Sequence, residues 1–175
     1  MSTKRNAFGF SFMNFIGIDP STSSTGFAVV NEHQELLRYG TIKGLADDPK
    51  SFAHLYSELN GLLAAFPPDG IICETQFIGV NRATSIKLIR PTGIVLAVSG
   101  LHDAPFTFLA PSAWRKTYQG VGKWTKRDTF KFTKEKYPGV LTSFNKDNDM
   151  SDAIGIAYTC SVLFQEAGVA NEGVI

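Results

Sequence analysis

Four acidic side chains suggest what chemistry this chain could do. Asp19 closes the apolar run "FIGID", Glu74 closes "GIICE", and Asp149 and Asp152 stand three apart in "DMSDAIGIA". A buried strand has no use for a carboxylate at its tip, so such an acid is either a turn residue or a ligand. Residues three apart on a helix share a face, so Asp149 and Asp152 can point at one spot. In an α/β sheet, ligands gather beyond the carboxyl ends of neighbouring strands, where Asp19 and Glu74 meet if their strands pair in parallel. Converging carboxylates repel and raise one another's pKa unless a cation lies among them. Oxygen donors with no matching histidine or thiolate select a hard ion, Mg²⁺ or Mn²⁺, over zinc. Two such ions about 4 Å apart can activate a water and stabilise the departing 3′ oxygen in phosphodiester hydrolysis.

Each acid has a plainer reading. Asp19 before Pro20 also fits an Asx turn, and Glu74 also fits a pairing with a lysine. Asp149 and Asp152 also fit the dipole of a helix start, a use worth about 0.3–1 kcal/mol. Their joint placement at two strand ends and one helix start favours a shared site.

Elements that would position these groups follow from the apolar pattern. Residues 15–18, 26–30 and 35–42 read as three strands in an antiparallel meander, the last two joined by the "NEHQ" turn. Residues 50–66 repeat apolar positions every three or four and predict a helix that "PPDG" ends. "GIICE" is a short continuous apolar run, the pattern of a strand buried on both faces. Residues 81–101 read as helical with Pro91 inside, and the near-continuous apolar segment 92–101 suggests burial on more than one side. A strand at 106–109, helices at 111–118 and 126–137 around the glycine loop "QGVGKW", and a helix at 149–167 complete the chain. That last helix carries Met150, Ile154, Ala157, Ser161 and Phe164 along one stripe. The expected fold class is α/β: a five-stranded mixed sheet, an antiparallel meander plus parallel strands, flanked by helices.

Composition narrows the function classes. A chain of 175 residues, 43% hydrophobic, suits one domain, read as residues 15–167 with an unassigned segment 1–14 and a tail 168–175. No apolar segment approaches the roughly 20 residues that span a bilayer, and no secretory pattern follows the first methionine, so an intracellular, soluble protein is expected. Cys73 and Cys160 lie far apart in apolar runs, which suits reduced, buried thiols. The net charge of +1 argues against a uniformly basic DNA-coating protein. Residues 111–136 nevertheless hold eight basic residues against two acidic ones, an excess that fits either a phosphate-binding patch or a solvated helix face.

Four segments, "IGIDPSTSSTG", "CETQFIGVNRATSIKL", "VGKWTKRD" and "DMSDAIGIA", resemble the motifs of the RuvC family of Holliday junction resolvases, within the RNase H-like superfamily. The resemblance runs from about residue 15 to residue 164, most of the chain. It implies an RNase H-like fold, a metal-binding catalytic tetrad of Asp19, Glu74, Asp149 and Asp152, and two Mg²⁺ or Mn²⁺ ions. It further implies that Lys126, with Lys123, faces the scissile phosphate, and that Phe77 stacks on an unpaired base; core packing is the other reading of Phe77. Arg82, Lys87, Arg115, Lys116 and Arg127 join them as candidate nucleic-acid contacts. The expected partners are four-way branched DNA and a second copy of the chain in a C₂ dimer through the helix at 92–101. The expected location is the cytoplasm, with the nucleoid, or the host cytoplasm if the chain is phage-encoded.

Ser21 stands where the family usually has glycine, the chain is less basic, and residues 1–14 are read as an N-terminal extension. These departures fit a divergent, phage-type member. The competing readings are an actin-like or sugar-kinase-like ATP-binding domain, with "DPSTSSTG" as its phosphate loop, a non-catalytic RNase H-like DNA-binding module, and an RNase H acting on hybrids.

Overall fold

The computed structural model describes residues 13–21, 23–43, 46–75 and 82–172. Phe77 lies outside the described residues, as does the side chain of Arg82. Five strands, β1 (Phe15–Pro20), β2 (Thr25–Val30), β3 (Leu36–Ile42), β4 (Gly70–Glu74) and β5 (Phe106–Leu109), form one sheet in the order β3-β2-β1-β4-β5. The first three pair antiparallel, while β1 with β4 and β4 with β5 pair in parallel, which is the expected mixed sheet. Five helices cover it: α1 (Pro49–Ala65), α2 (Arg82–Leu101), α3 (Pro111–Gln119), α4 (Lys126–Lys136) and α5 (Phe144–Glu172).

Alternation along the strands sorts side chains to two faces. Phe15 and Ile72 pack with α3, α4 and α5 on one face, while Ile16, Ile18, Ile71 and Cys73 pack with α1 and α2 on the other. The same parity sends Asp19, two residues beyond Gly17, and Glu74, two beyond Ile72, to the α5 face. Ile18 sits opposite Cys73, so Asp19 and Glu74 are the next residues on two adjacent parallel strands. Helix α1 starts where Asp48 accepts hydrogen bonds from the Lys50 and Ser51 amides with Pro49 behind it, and it buries Leu55, Leu59, Leu62 and Leu63.

Four expectations need correction. Helix α5 begins at Phe144, not 149, because the Asp147 carboxylate accepts from the Thr142 and Ser143 amides at 2.7 and 3.0 Å and turns the chain into the helix early. Asp149 and Asp152 therefore lie beyond the first turn, where the helix dipole no longer explains them. The same helix is buried all round from 150 to 157 rather than along one stripe, because it crosses the middle of the sheet under α3 and α4; Phe164 is half exposed against the Phe15 ring. It also continues to Glu172, past the expected end at 167. Finally, α2 is buried on one stripe only: Val95 and Val98 pack inward, while Leu96 is 44% and Leu101 65% exposed. Cys73 and Cys160 are buried free thiols as expected, and burial pushes Cys160 up to about 12. No helix among the described residues is long and apolar enough to cross a membrane.

Candidate active site

The four acids meet. Asp19 and Glu74 arrive from the ends of β1 and β4, and Asp149 and Asp152 come down from α5 across the same sheet face. Asp19, Glu74 and Asp152 are 3%, 9% and 0% exposed. Lys126 reaches the cluster from the first residue of α4, its Nζ 3.6 Å from Asp19 Oδ2, 3.9 Å from Asp149 Oδ1 and 3.2 Å from Asp152 Oδ2. A reciprocal capping box sets that helix start: Thr125 Oγ1 accepts from the Asp128 amide, and the Asp128 carboxylate accepts from the Thr125 amide. A cation in a first turn opposes the helix dipole, and the three carboxylates offset that cost.

Each acid is held differently. The Trp114 indole N–H donates to Glu74 Oε2 at 2.8 Å. Arg115 Nη2 lies 3.3 Å from Asp152 Oδ2, with its side chain only 11% exposed. The Ser24 hydroxyl donates to Asp149 Oδ2 at 2.6 Å, Ser21 Oγ lies 2.9 Å from Ser24 Oγ, and Asn148 donates to Asp149 Oδ1 at 2.9 Å. The serine at the position where glycine was expected therefore ties the loop after β1 to the acid on α5.

The electrostatics suit a cation. Burial, then the Glu74 charge, raises Asp19 well above the usual carboxylate range despite Lys126. Burial likewise raises Asp152 against the pull of Lys126 and Arg115, and it raises Glu74 against its bond from Trp114. For Lys126, burial alone favours the neutral amine, yet the Asp19 and Asp152 charges outweigh it and the ammonium is stabilised. Asp19 Oδ2 and Asp152 Oδ1 are buried without a hydrogen-bond partner. Among the described residues no three His, Cys, Asp or Glu side chains are arranged as ligands to one ion; the positive charge at the centre is the Lys126 ammonium. The donor set itself, all carboxylate oxygen and including two buried oxygens that accept no hydrogen bond, fits a hard divalent ion.

A family model described as "Crossover junction endodeoxyribonuclease RuvC" matches residues 15–160. The chain belongs to the RuvC family. Proteins of that name from Rickettsia bellii and Rickettsia akari are 31% and 32% identical to it, each over 86% of this chain and 98% of their own length. Among solved structures, Thermus thermophilus RuvC in complex with Holliday junction substrate superposes with a TM-score of 0.74 at 18% identity, over 88% of this chain and 96% of that one. The yeast mitochondrial Holliday junction resolvase Ydc2 gives 0.58 at 17% identity, over 91% and 85%. At these identities the superpositions speak for the fold, which is the RNase H-like fold of the RuvC family.

Of the candidate DNA contacts, Lys116 on α3, Lys123 in the turn before α4, and Arg127 on α4 are exposed, as is Lys87 on α2. Arg127 also lies over the Phe144 ring. Arg115 is different, since it turns inward onto Asp152. Sequence reasoning missed Trp114 and Ser24. The only hint for Trp114 was general: a buried indole N–H needs an acceptor.

Proposed function

We propose that Asp19, Glu74, Asp149 and Asp152 are the metal-binding catalytic tetrad of a nuclease that resolves four-way DNA junctions. As a RuvC-family member the chain is a crossover junction endodeoxyribonuclease. The observation that carries the assignment of residues is the convergence of these four acids and Lys126 at the carboxyl ends of adjacent strands. Magnesium or manganese, two ions per site, is the metal this donor set supports, and when bound it supplies Lewis-acid activation of water and neutralises the departing 3′ oxygen.

The chain's own groups do the rest. The carboxylates orient the reacting centre, and Lys126, released from them, offers its ammonium to the scissile phosphate. Exposed Lys116, Lys123 and Arg127, with Lys87, Arg82 and Phe77, hold the junction arms, so binding weakens steeply with salt. Ile86, Ile89 and Leu96 lie at spacings of three and seven along α2, each nearly half exposed. An apolar seam of that period supports pairing of two copies about a two-fold axis, one site per equivalent strand.

A four-way junction with one labelled strand, incubated with Mg²⁺ or Mn²⁺, tests the reading. Paired symmetric nicks leaving 5′ phosphates are expected, reduced to background in Asp19→Asn and Glu74→Gln with junction binding retained. Nicking unaffected by either substitution, or cutting confined to the RNA of a hybrid, refutes it.

A further inference from the structure

We propose that the adjacent residues Trp114 and Arg115 are a positioning pair that sets the carboxylates of Glu74 and Asp152, and that Arg115 serves the acidic cluster instead of the DNA backbone. The proposal rests on the tetrad reading above and names residues that reading does not include.

Neighbouring residues on a helix point about 100° apart, so one short helix can address two acids that arrive on different elements. Trp114 on α3 donates to Glu74 on β4 at 2.8 Å, and Arg115 approaches Asp152 on α5 at 3.3 Å. An indole has a single N–H and no acceptor, so the ring's placement dictates where the donor points. That placement is tightly held. Trp114 is fully buried, and a Cβ added at Gly155 of α5 would lie 2.7 Å from its Cζ3, so the glycine leaves the notch the ring fills. The Trp114 carbonyl accepts from Thr159 Oγ1 at 3.1 Å, which ties α3 to α5 beside the ring. Arg115 then stacks its guanidinium over the same indole, 4.6 Å from the centroid. A residue whose charged head is stacked, paired with a buried acid and only 11% exposed is built for the interior. Hydrogen bonds to metal-ligating carboxylates fix their rotamers, and their loss typically weakens metal binding about 10–100-fold.

The test is Mn²⁺ binding by isothermal titration of the full chain without DNA, set beside four-way junction affinity and its salt dependence measured without divalent metal. Trp114→Phe removes the donor. Because the smaller ring leaves space, position 114 is also filled with 3-benzothienylalanine, an isostere whose sulfur cannot donate. Both changes should weaken Mn²⁺ binding about tenfold or more with junction affinity unmoved. Arg115→Ala should do the same, and Arg115→Lys should recover only part of the loss, because an ammonium lacks the planar stacking fork. In ¹⁵N-indole spectra the Trp114 resonance should shift on Glu74→Gln and on Mg²⁺ addition, with Trp124 as the internal reference.

Unchanged Mn²⁺ affinity in both position-114 variants overturns the proposal, as does an Arg115→Ala protein that loses junction affinity and salt slope while binding Mn²⁺ normally. If the wild-type chain binds no Mn²⁺ and Asp19→Asn alters nothing, the tetrad reading falls and takes the pair with it. A wild type that binds and cleaves beside unaffected position-114 variants sinks the pair alone.

Discussion

The two faces of the sheet are packed by different means. On the α1–α2 face, contact is made through branched side chains, Ile16, Ile18 and Val29 against Leu55, Leu59, Val95 and Val98. On the α5 face, backbone meets backbone: a Cβ added at Gly17 would lie 2.2 Å from the Ala157 nitrogen, and one at Gly26 would lie 2.1 Å from the Asp149 carbonyl oxygen. Gly26 is itself paired with Asp19 across β1 and β2. Side-chain contacts can adjust by rotamer, whereas a helix seated on bare strand has one position. The face that carries the acids is therefore the one whose geometry has least freedom, and the other face supplies cohesion.

The sharpest way to break this comparison lies within β1. Gly17→Val should drive α5 off the sheet and cost more than about 4 kcal/mol, enough to abolish cooperative thermal unfolding followed by circular dichroism. Ile18→Val, one residue on and facing the other way, should cost only about 0.5–1.5 kcal/mol. Similar losses at the two positions would show that the faces are not packed differently.

Lys126→Met is expected next in size. Removing a cation set among three carboxylates should lower junction cleavage about a hundredfold or more while tightening Mn²⁺ binding. Weaker Mn²⁺ binding in this variant would mean that the ammonium does not compete for the carboxylates.

The raised Asp19 makes a pH prediction. An acid whose folded pKa lies above its unfolded value binds more protons in the folded state, so metal-free stability falls as pH rises through that interval. Asp19→Asn removes this cost. With chelator present its melting temperature should exceed that of wild type at pH 8, by a margin that shrinks towards pH 4. The opposite trend would show that burial does not disfavour the Asp19 charge.

The smallest effect on folding belongs to the outer surface of α2. Leu96→Ser should change monomer stability by less than about 0.5 kcal/mol, yet shift the sedimentation coefficient from dimer to monomer. A dimer that persists would refute the α2 interface proposed above.

Much of this molecule was legible in one dimension. Strand alternation places Asp19 and Glu74 on one side of the sheet, the apolar run of β4 marks it as an interior strand, and the motif segments single out the four acids that the fold brings together. These features are local, since they depend on chain geometry over a few residues. Of the misread features, one was a local side-chain cap that hydrophobic periodicity does not register, and the other depended on what packs against a helix. Asp147 began α5 early by capping the preceding turn, and the apolar second half of α2 kept an outward face because only one stripe of it meets the core.

What tertiary structure alone decided is which partner each charged group takes. Arg115 sits in a basic stretch and reads as a phosphate contact, yet folding places it against Asp152, 37 residues away. Trp114 meets Glu74 across 40 residues, and Ser24 meets Asp149 across 125. Propensity and periodicity determine which face a side chain presents, because they act over a turn or a pleat. A hydrogen bond between distant segments is set by how a helix is seated on a sheet, and here that seat depends on glycines whose role is visible only once the two backbones are seen in contact.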